Sequence, residues 1–252
     1  MLFESIVYGP IRSRRLGVSL GVNLMPTTAK LCTFDCVYCE CGWNQPVLHP
    51  VLPSREEVRY ALEDQLSKSD EKIDVITFSG NGEPTLHPDF LGIIEDTCTL
   101  RDQYCPQAKV SVLSNSTQLG RKDVVDALLL CDNRILKLDS AIDSTMRLID
   151  KPVNSQLTVG QLIEWLRVFE GDFTLQTCFL RGEYQGQLID NTTSEELAAW
   201  YKVVDYLRPK QVMIYVIDRE TPLKTLEKIP AQQMEAIASP LRANGIDVVV
   251  SV

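Results

Sequence analysis

Three closely spaced cysteines constrain this chain more than any other feature. Cys32, Cys36 and Cys39 fall within eight residues at C-x3-C-x2-C spacing, and Tyr38 directly precedes the last of them. Cysteine thiolates are the usual ligands of iron–sulfur clusters, and a fully ligated [4Fe–4S] cluster takes four of them. Three ligands leave one iron atom without a protein ligand. The spacing therefore predicts a cluster that can bind a small molecule at the open iron.

Two other uses of these cysteines are weighed against the cluster. A structural zinc site needs four Cys or His ligands, usually arranged as two pairs. Cys41 supplies a fourth thiol nearby, but no second pair follows it. Purely structural cysteines are the other alternative, although a disulfide framework is unexpected in a chain of 252 residues without a signal peptide. Cys41 itself is either a bystander or a ligand of the cluster when no small molecule is bound.

The charge of the chain is unevenly distributed. The net charge is −9, yet residues 1–31 carry +3, which leaves −12 for the rest. An acidic body argues against broad nucleic-acid binding, which depends on phosphate contacts to Lys and Arg. The cluster of Arg12, Arg14 and Arg15 is either a solvated basic turn or a site for a phosphate or carboxylate, since Arg binds both with paired donors.

The sequence predicts neither a membrane segment nor a secretory leader. The first five residues include no basic n-region, and no apolar run approaches the length of a membrane span. We therefore expect a cytoplasmic protein whose eight cysteines are kept reduced.

Apolar runs alternate with helical patterns along the chain, which predicts a parallel α/β fold. The predicted strands cover 18–24, 73–78, 109–113, 134–140, 173–179 and 211–217, with a short seventh at 247–252. The predicted helices cover 54–68, 88–104, 123–130, 143–150, 158–169, 194–207 and 231–244. Six such repeats favour a partial parallel (β/α)6 TIM-like barrel, built as a single domain over residues 1–252. In such folds the loops after the strands carry the chemistry.

Polar residues follow two of these strands where a ligand would be expected. The second strand leads into a glycine-rich turn, residues 79–84, and glycine lets a backbone approach a ligand closely. The third strand ends in small polar residues that include Asn115. Such side chains either bind a ligand or simply form the turn.

The fourth and fifth strands carry polar residues inside the predicted barrel. Alternation places Lys137 and Asp139 on the same face, opposite the apolar residues that helices would cover. Buried charges are costly, so the two residues either form a structural pair or contact a ligand. On the fifth strand, Gln176 and Thr177 lie on opposite faces, and one of them should face the cavity.

Together these motifs resemble the radical S-adenosylmethionine (radical SAM) superfamily. The glycine-rich turn is similar to its GGEP motif, with Asn81 inserted between the glycines, and Asn115 matches the Asn of its Thr-Asn-Gly segment. In that family the open iron chelates the amino and carboxylate groups of SAM. The cluster then cleaves SAM to methionine and a 5′-deoxyadenosyl radical, which takes a hydrogen atom from the substrate.

The resemblance is closest to the group that includes the wyosine-type tRNA-modifying synthases. It rests on Tyr8-Gly9-Pro10, Ser13-Arg14-Arg15-Leu16-Gly17, the strand from Ser19 to Met25, Cys36-Val37-Tyr38-Cys39, Lys137-Leu138-Asp139 and Gln176-Thr177. Those enzymes hold a second cluster on cysteines upstream of the motif. No cysteine precedes Cys32 here, so that cluster cannot be built in the same way.

The resemblance implies a role for each matching residue. Cys32, Cys36 and Cys39 would hold a [4Fe–4S] cluster, and Lys137 and Asp139 would be catalytic contacts. The SAM contacts would be Tyr38, Gly80, Gly82, Glu83, Pro84, Asn115 and Gln176. A flavodoxin or ferredoxin would supply the electron. The substrate would be a nucleoside in RNA or, alternatively, a peptide or protein partner. A non-catalytic zinc or iron–sulfur protein is the alternative from another class.

Overall fold

The structure is a computed structural model that describes residues 2–13, 16–69 and 71–252. The chain divides into two compact units. The first unit is formed by Met1–Cys32 and Asn44–Ile135, and the second by Thr33–Trp43 and Leu136–Val252. The cysteine segment therefore begins in the first unit and continues in the second.

The first unit alternates strands and helices. Its elements are β1 (Val7–Ser13), β2 (Gly17–Val22), α1 (Arg55–Lys68), β3 (Val75–Phe78), α2 (Phe90–Tyr104), β4 (Lys109–Ser114), α3 (Lys122–Leu130) and β5 (Asn133–Lys137), whose last two residues belong to the second unit. The strand order is β1-β2-β3-β4-β5. Strand β2 pairs with β3 and β3 with β4 in parallel, whereas β1 lies antiparallel to β2.

The second unit continues the same alternation and adds a small sheet. Its elements are α4 (Asp143–Ile149), α5 (Val159–Leu166), β6 (Thr174–Cys178), β7 (Leu180–Tyr184), β8 (Gln187–Asp190), α6 (Ser194–Leu207), β9 (Gln211–Tyr215), β10 (Glu227–Lys228), α7 (Ala231–Ala243) and β11 (Asp247–Ser251). The main strand order is β5-β6-β9-β11, with β6, β9 and β11 parallel. Strands β10, β7 and β8 form the small antiparallel sheet.

Local sequence explains where the elements begin and why they are buried. Helix α1 begins after a capping box in which the Ser54 hydroxyl accepts from the Glu57 N–H, and the Glu57 carboxylate accepts from the Ser54 N–H. All four residues of β3 and all five of β6 are buried, as expected for central parallel strands covered on both faces. The predicted α/β fold with a mostly parallel sheet is confirmed.

Two parts of the fold differ from the sequence predictions. Strand β1 precedes the first predicted strand, and its last two residues, Arg12 and Ser13, overlap the predicted basic turn or anion site. Residues 180–190, which lie outside every predicted element, form strands β7 and β8 and the turn between them. The prediction of a single domain over residues 1–252 stays a prediction. Among the described residues, every helix is too short or too polar to cross a bilayer.

Candidate functional site

The residue before the first cysteine is fixed to the glycine-rich turn. The Leu31 N–H donates to the Asn81 carbonyl at 2.9 Å, and the Glu83 N–H donates to the Leu31 carbonyl at 3.0 Å. Gly82 has a φ of +144°, and a β-carbon on it would come within 1.7 Å of the Leu31 carbonyl oxygen. Only glycine can occupy this position, because both its φ and its distance from Leu31 exclude a side chain. The backbone on the N-terminal side of Cys32 is thereby held in place.

Glu83 connects the glycine-rich turn to the end of β4. Its side chain is buried, and its two oxygens accept from the Asn115 N–H at 2.7 Å and from the Thr85 hydroxyl at 2.6 Å. Burial raises the pKa of Glu83, although the bonds from Asn115 and Thr85 act in the opposite direction. The Glu83 carboxyl group is therefore engaged in positioning the neighbouring strand end.

Asn115 in turn faces the first cysteine. Its Oδ1 accepts from the Thr117 N–H and hydroxyl at 3.1 and 2.7 Å, which orients its Nδ2 toward the Cys32 sulfur at 3.5 Å. Asn44 donates to the Cys32 carbonyl from the other side at 3.2 Å. The structure thus brings Asn115 and Glu83 together with Cys32 in the first unit.

In the second unit, the rest of the cysteine segment pairs with the chain that follows α4. The Asp35 and Val37 N–H groups donate to the carbonyls of Asp150 and Ile149, each at 2.9 Å, and the Val153 N–H donates to the Thr33 carbonyl at 2.9 Å. A turn follows, in which the Cys39 N–H donates to the Cys36 carbonyl at 3.1 Å. These backbone bonds hold both Cys36 and Cys39 in a defined loop.

A buried charged cluster surrounds the Cys36 sulfur. The Lys137 ammonium lies 3.2 Å from the Cys36 Sγ, 3.4 Å from an Asp139 carboxylate oxygen and 3.6 Å from an Asp150 carboxylate oxygen. The Lys137 side chain is 14% exposed, and those of Asp139 and Asp150 are 0% and 2% exposed. The Cys36 thiol also donates to Asp150 at 3.4 Å. The predicted neighbours Lys137 and Asp139 are therefore paired with each other and joined by Asp150.

Burial and charge act in opposite directions on the titration of this cluster. Burial by itself lowers the pKa of Lys137, but the negative charges of Asp139, Cys36 and Asp150 outweigh it and raise that pKa well above its ordinary value. Burial, followed by the charge of Asp139, raises the pKa of Asp150 well above its usual range. The cluster therefore keeps Lys137 as a cation, with the charge of Asp139 as the largest stabilising contribution.

Asp139 fixes the tyrosine of the cysteine motif. One of its oxygens accepts from the Cys178 N–H at 2.8 Å, and the other accepts a short hydrogen bond from the Tyr38 hydroxyl. Burial and the Asp139 charge raise the pKa of Tyr38 well above its usual value, so its hydroxyl stays a donor. The Lys137 ammonium lies 4.6 Å from the centre of the Tyr38 ring. Tyr38 thus links the cysteine loop to the charged cluster.

Gln176 and Thr177 lie on opposite faces of β6. The Thr177 hydroxyl donates to the Leu138 carbonyl at 2.7 Å and accepts from the indole N–H of Trp200 on α6 at 3.0 Å, so Thr177 faces the helix layer. The Gln176 side chain is buried and lies 3.6 Å from the Met213 sulfur. Pro84 is buried at the start of a short 3₁₀ turn after the glycine-rich segment.

Sequence reasoning missed two groups near the cysteine loop. The sequence predicts Asp150 only as the end of a helix. In the structure its side chain contacts Cys36, which lies 114 positions away in the chain. The second group is a half-buried cluster in which the Lys151 ammonium donates to the Tyr184 hydroxyl at 3.0 Å and lies 5.8 Å from the centre of the Trp43 ring. In the sequence, these groups are marked only by the Lys151-Pro152 step and by Trp43. Neither feature predicts which residues it contacts.

The donor set of the loop suits a cluster with one open iron. In a [4Fe–4S] cluster the thiolates bind different iron atoms, so they need not converge on a single point. Within residues 2–13, 16–69 and 71–252, no three His, Cys, Asp or Glu side chains gather closely enough to hold one metal ion. Asn115 donates toward the Cys32 sulfur and Lys137 toward the Cys36 sulfur, and donors to sulfur are typical surroundings of iron–sulfur clusters.

Comparison with known proteins assigns the family. A family model described as the radical SAM superfamily matches residues 27–173, which is more than half of the chain. The chain belongs to the radical SAM superfamily. Membership implies a [4Fe–4S] cluster, S-adenosylmethionine and an S-adenosylmethionine-dependent enzyme. The family predicted from the cysteine spacing is confirmed, and the zinc alternative is not favoured.

Two relatives extend beyond this chain. "GTPase Obg" from Brachyspira hyodysenteriae is 30% identical over 243 residues, which cover 94% of this chain and 34% of that protein. "UPF0026 protein MJ1312" from Methanocaldococcus jannaschii is 33% identical over 191 residues, which cover 75% of this chain and 53% of that protein. The chain thus spans about a third to a half of the length of these relatives.

Solved structures of radical SAM enzymes share the fold. Streptococcus suis SuiB bound to S-adenosylmethionine matches with a TM-score of 0.66 at 12% identity, over 91% of this chain and 50% of that one. SuiB bound to its precursor peptide SuiA matches with a TM-score of 0.65 at 12% identity, over 92% of this chain and 48% of that one. TYW1 with a lysine–pyruvate adduct matches with a TM-score of 0.61 at 14% identity, over 90% of this chain and 73% of that one. At these identities the likeness concerns the fold, and it confirms the predicted partial-barrel class.

Proposed function

We propose that Cys32, Cys36 and Cys39 hold a [4Fe–4S] cluster that binds S-adenosylmethionine at its open iron. The observation that carries this proposal is the way the cysteine segment is fixed. Backbone hydrogen bonds join Leu31 to the glycine-rich turn in the first unit, and others join residues 33–37 to residues 149–153 in the second. A loop held by its backbone can present thiolates without reorganising when the metal binds.

When bound, the cluster would supply the electron that cleaves S-adenosylmethionine to methionine and a 5′-deoxyadenosyl radical, and that radical would take a hydrogen atom from the substrate. The chain's residues bind and orient. The backbone of Gly80, Gly82 and Glu83 would receive the amino group of S-adenosylmethionine, while the Glu83 side chain holds Asn115 in position. Pro84, Asn115 and Gln176 would complete this binding site.

The charged cluster has a positioning role in this scheme. Asp139 holds the Tyr38 hydroxyl, and Lys137 is held by both Asp139 and Asp150. These contacts set the conformation of the loop between Cys36 and Cys39, and they place fixed charges beside it. We further propose that residues 1–252 act as one radical SAM domain that takes its electron from a flavodoxin or ferredoxin.

The test is reductive cleavage of S-adenosylmethionine by the reconstituted protein. After anaerobic loading with iron and sulfide, dithionite and S-adenosylmethionine are added, and 5′-deoxyadenosine is measured by chromatography. Wild type and Cys98→Ala should form it, because Cys98 lies on α2 and its thiol donates to the Leu130 carbonyl at the end of α3. Cys36→Ala should not. A wild type that carries the cluster but forms no deoxyadenosine would overturn the proposal.

For the substrate, we propose a nucleoside in RNA. Support comes from the resemblance to the wyosine-type group and from the exposed Arg12, whose side chain is 86% accessible and forms a long ion pair with Glu71 at 3.4 Å. Arg14 and Arg15 lie outside the described residues. A tRNA affinity that falls with salt, and is lost when the three arginines are replaced by alanine, would support this substrate. Affinity independent of both salt and these arginines would contradict it.

A peptide or protein substrate is the second candidate. It is supported by the fold shared with SuiB, which was solved with its precursor peptide. The half-buried cluster of Trp43, Tyr184 and Lys151 offers aromatic surface beside the cysteine loop for either a base or a side chain. A Trp43→Ala variant that loses binding of a partner protein but keeps its tRNA affinity would favour this candidate.

A further inference from the structure

Packing of the protein interior does not by itself require a cation at the position of Lys137. An ammonium group removed from water is costly, and an apolar residue of similar size would fill the same space at less cost. Yet this ammonium lies at the end of β5 with its side chain 14% exposed. A specific use for the charge explains its position better than packing does.

The three N–H groups of the ammonium have three acceptors. Two are the carboxylate oxygens of Asp139 and Asp150 at 3.4 and 3.6 Å, and the shortest contact, at 3.2 Å, is to the Cys36 sulfur. Because a lysine ammonium has only donors, the contact to the sulfur is a hydrogen bond from Lys137 to Cys36. It strengthens when the sulfur is a thiolate.

Both carboxylates that hold the ammonium are themselves fixed. Asp139 accepts from the Cys178 N–H and from Tyr38. Asp150 is the residue after α4, and its carbonyl accepts from the Asp35 N–H in the cysteine segment. The position of the ammonium relative to Cys36 is therefore set by the protein, since none of its partners is a mobile surface group.

We infer that Lys137 is a positioning residue for the cluster: it donates a charge-assisted hydrogen bond to the Cys36 sulfur and thereby raises the reduction potential of the cluster, an inference that rests on the proposed function. Reduction adds one electron from an external reductant to the cluster, and no bond to the protein forms or breaks. A donor to a ligand sulfur and a fixed positive charge both stabilise the added negative charge. The reduced cluster is therefore stabilised relative to the oxidised cluster, which raises the reduction potential.

The test is a redox titration of the reconstituted cluster without S-adenosylmethionine, followed by electron paramagnetic resonance. In Lys137→Met the ratio of reduced to oxidised cluster at a fixed potential should fall about tenfold, which is about 59 mV for one electron. Lys137→Arg, which keeps the charge and donors, should stay close to wild type. Lys122→Met is the matched control, because Lys122 is exposed on α3, where it forms an ion pair with Asp126.

Two results would overturn the inference. One is a fully loaded Lys137→Met protein with the wild-type potential. The other is failure of both Lys137→Met and Lys137→Gln to load the cluster while Lys137→Arg loads normally, since that would make the charge a requirement for assembly instead of a modulator of potential. A potential shift in a protein that never cleaves S-adenosylmethionine would leave this inference standing and remove the proposed function.

Discussion

Gly82 lies so close to Leu31 that a β-carbon on Gly82 would come within 1.7 Å of the Leu31 carbonyl oxygen. This contact joins the glycine-rich turn directly to the residue before the first cysteine. The glycine of this motif is therefore needed for packing between two segments of the protein. The same relationship makes the integrity of the turn a condition for a correctly placed Cys32.

Gly82→Ala should destabilise the protein by more than about 3 kcal/mol, because the new methyl group overlaps backbone atoms that cannot move aside. The matched control is Gly186→Ala. Gly186 also has a positive φ, +78°, but no atom lies within 4 Å of the added carbon, so the cost should be only about 1 to 2 kcal/mol. Urea unfolding of both variants measures the difference. Equal losses at the two positions would contradict the packing role of Gly82.

Glu83→Gln should weaken the link between the glycine-rich turn and β4, since the amide nitrogen cannot accept from Asn115 or Thr85. The loss should depend on pH. Burial raises the pKa of Glu83, so the stability it contributes is complete below the unfolded pKa and declines as pH rises through the raised folded value. Glutamine does not titrate, so the difference between wild type and variant should shrink as pH rises.

The measurement for Glu83 is the free energy of unfolding of both proteins, from urea titrations at a mildly acidic and a mildly alkaline pH. Other titrating groups are common to the two proteins and cancel in the difference. A difference that is constant or grows with pH would show that Glu83 is ionised without penalty in the folded protein.

Tyr38→Phe should remove the hydrogen bond that the buried Asp139 accepts from the cysteine motif. A lost bond to a buried charged group costs about 1.5 to 3 kcal/mol. Tyr104→Phe is the control, because the Tyr104 hydroxyl also donates to a carboxylate, that of Glu63, but at the surface. Thermal unfolding of the protein without metal should therefore separate the two variants, with a clear decrease in melting temperature for Tyr38→Phe alone.

The sequence predicts the parts of this fold that depend on local pattern. Strand β3 is a continuous apolar or β-branched run, and the capping box at Ser54 marks the start of α1 from four residues alone. The loop cysteines and the glycine-rich turn are likewise recognisable from spacing. Each of these features is contained in a short stretch of chain, so the local sequence pattern is enough to predict it.

Features that depend on distant pairing were missed. Strand β1 contains Pro10 and ends beside an arginine cluster, and it is a strand because β2 offers it an antiparallel edge. Asp150 contacts Cys36 only because residues 149–153 pair with residues 33–37 across more than a hundred positions. The roles of Lys137 and Asp139 as ligand contacts stay predictions, while their ion pair is a feature of the fold.

The measurement that tests the central claim most directly is the electron paramagnetic resonance spectrum of the reduced, reconstituted protein before and after addition of S-adenosylmethionine. If Cys32, Cys36 and Cys39 hold a [4Fe–4S] cluster with one open iron, the spectrum of wild type should change when S-adenosylmethionine binds, and Cys36→Ala should give no cluster signal. A wild-type cluster whose spectrum is identical with and without S-adenosylmethionine would contradict the claim.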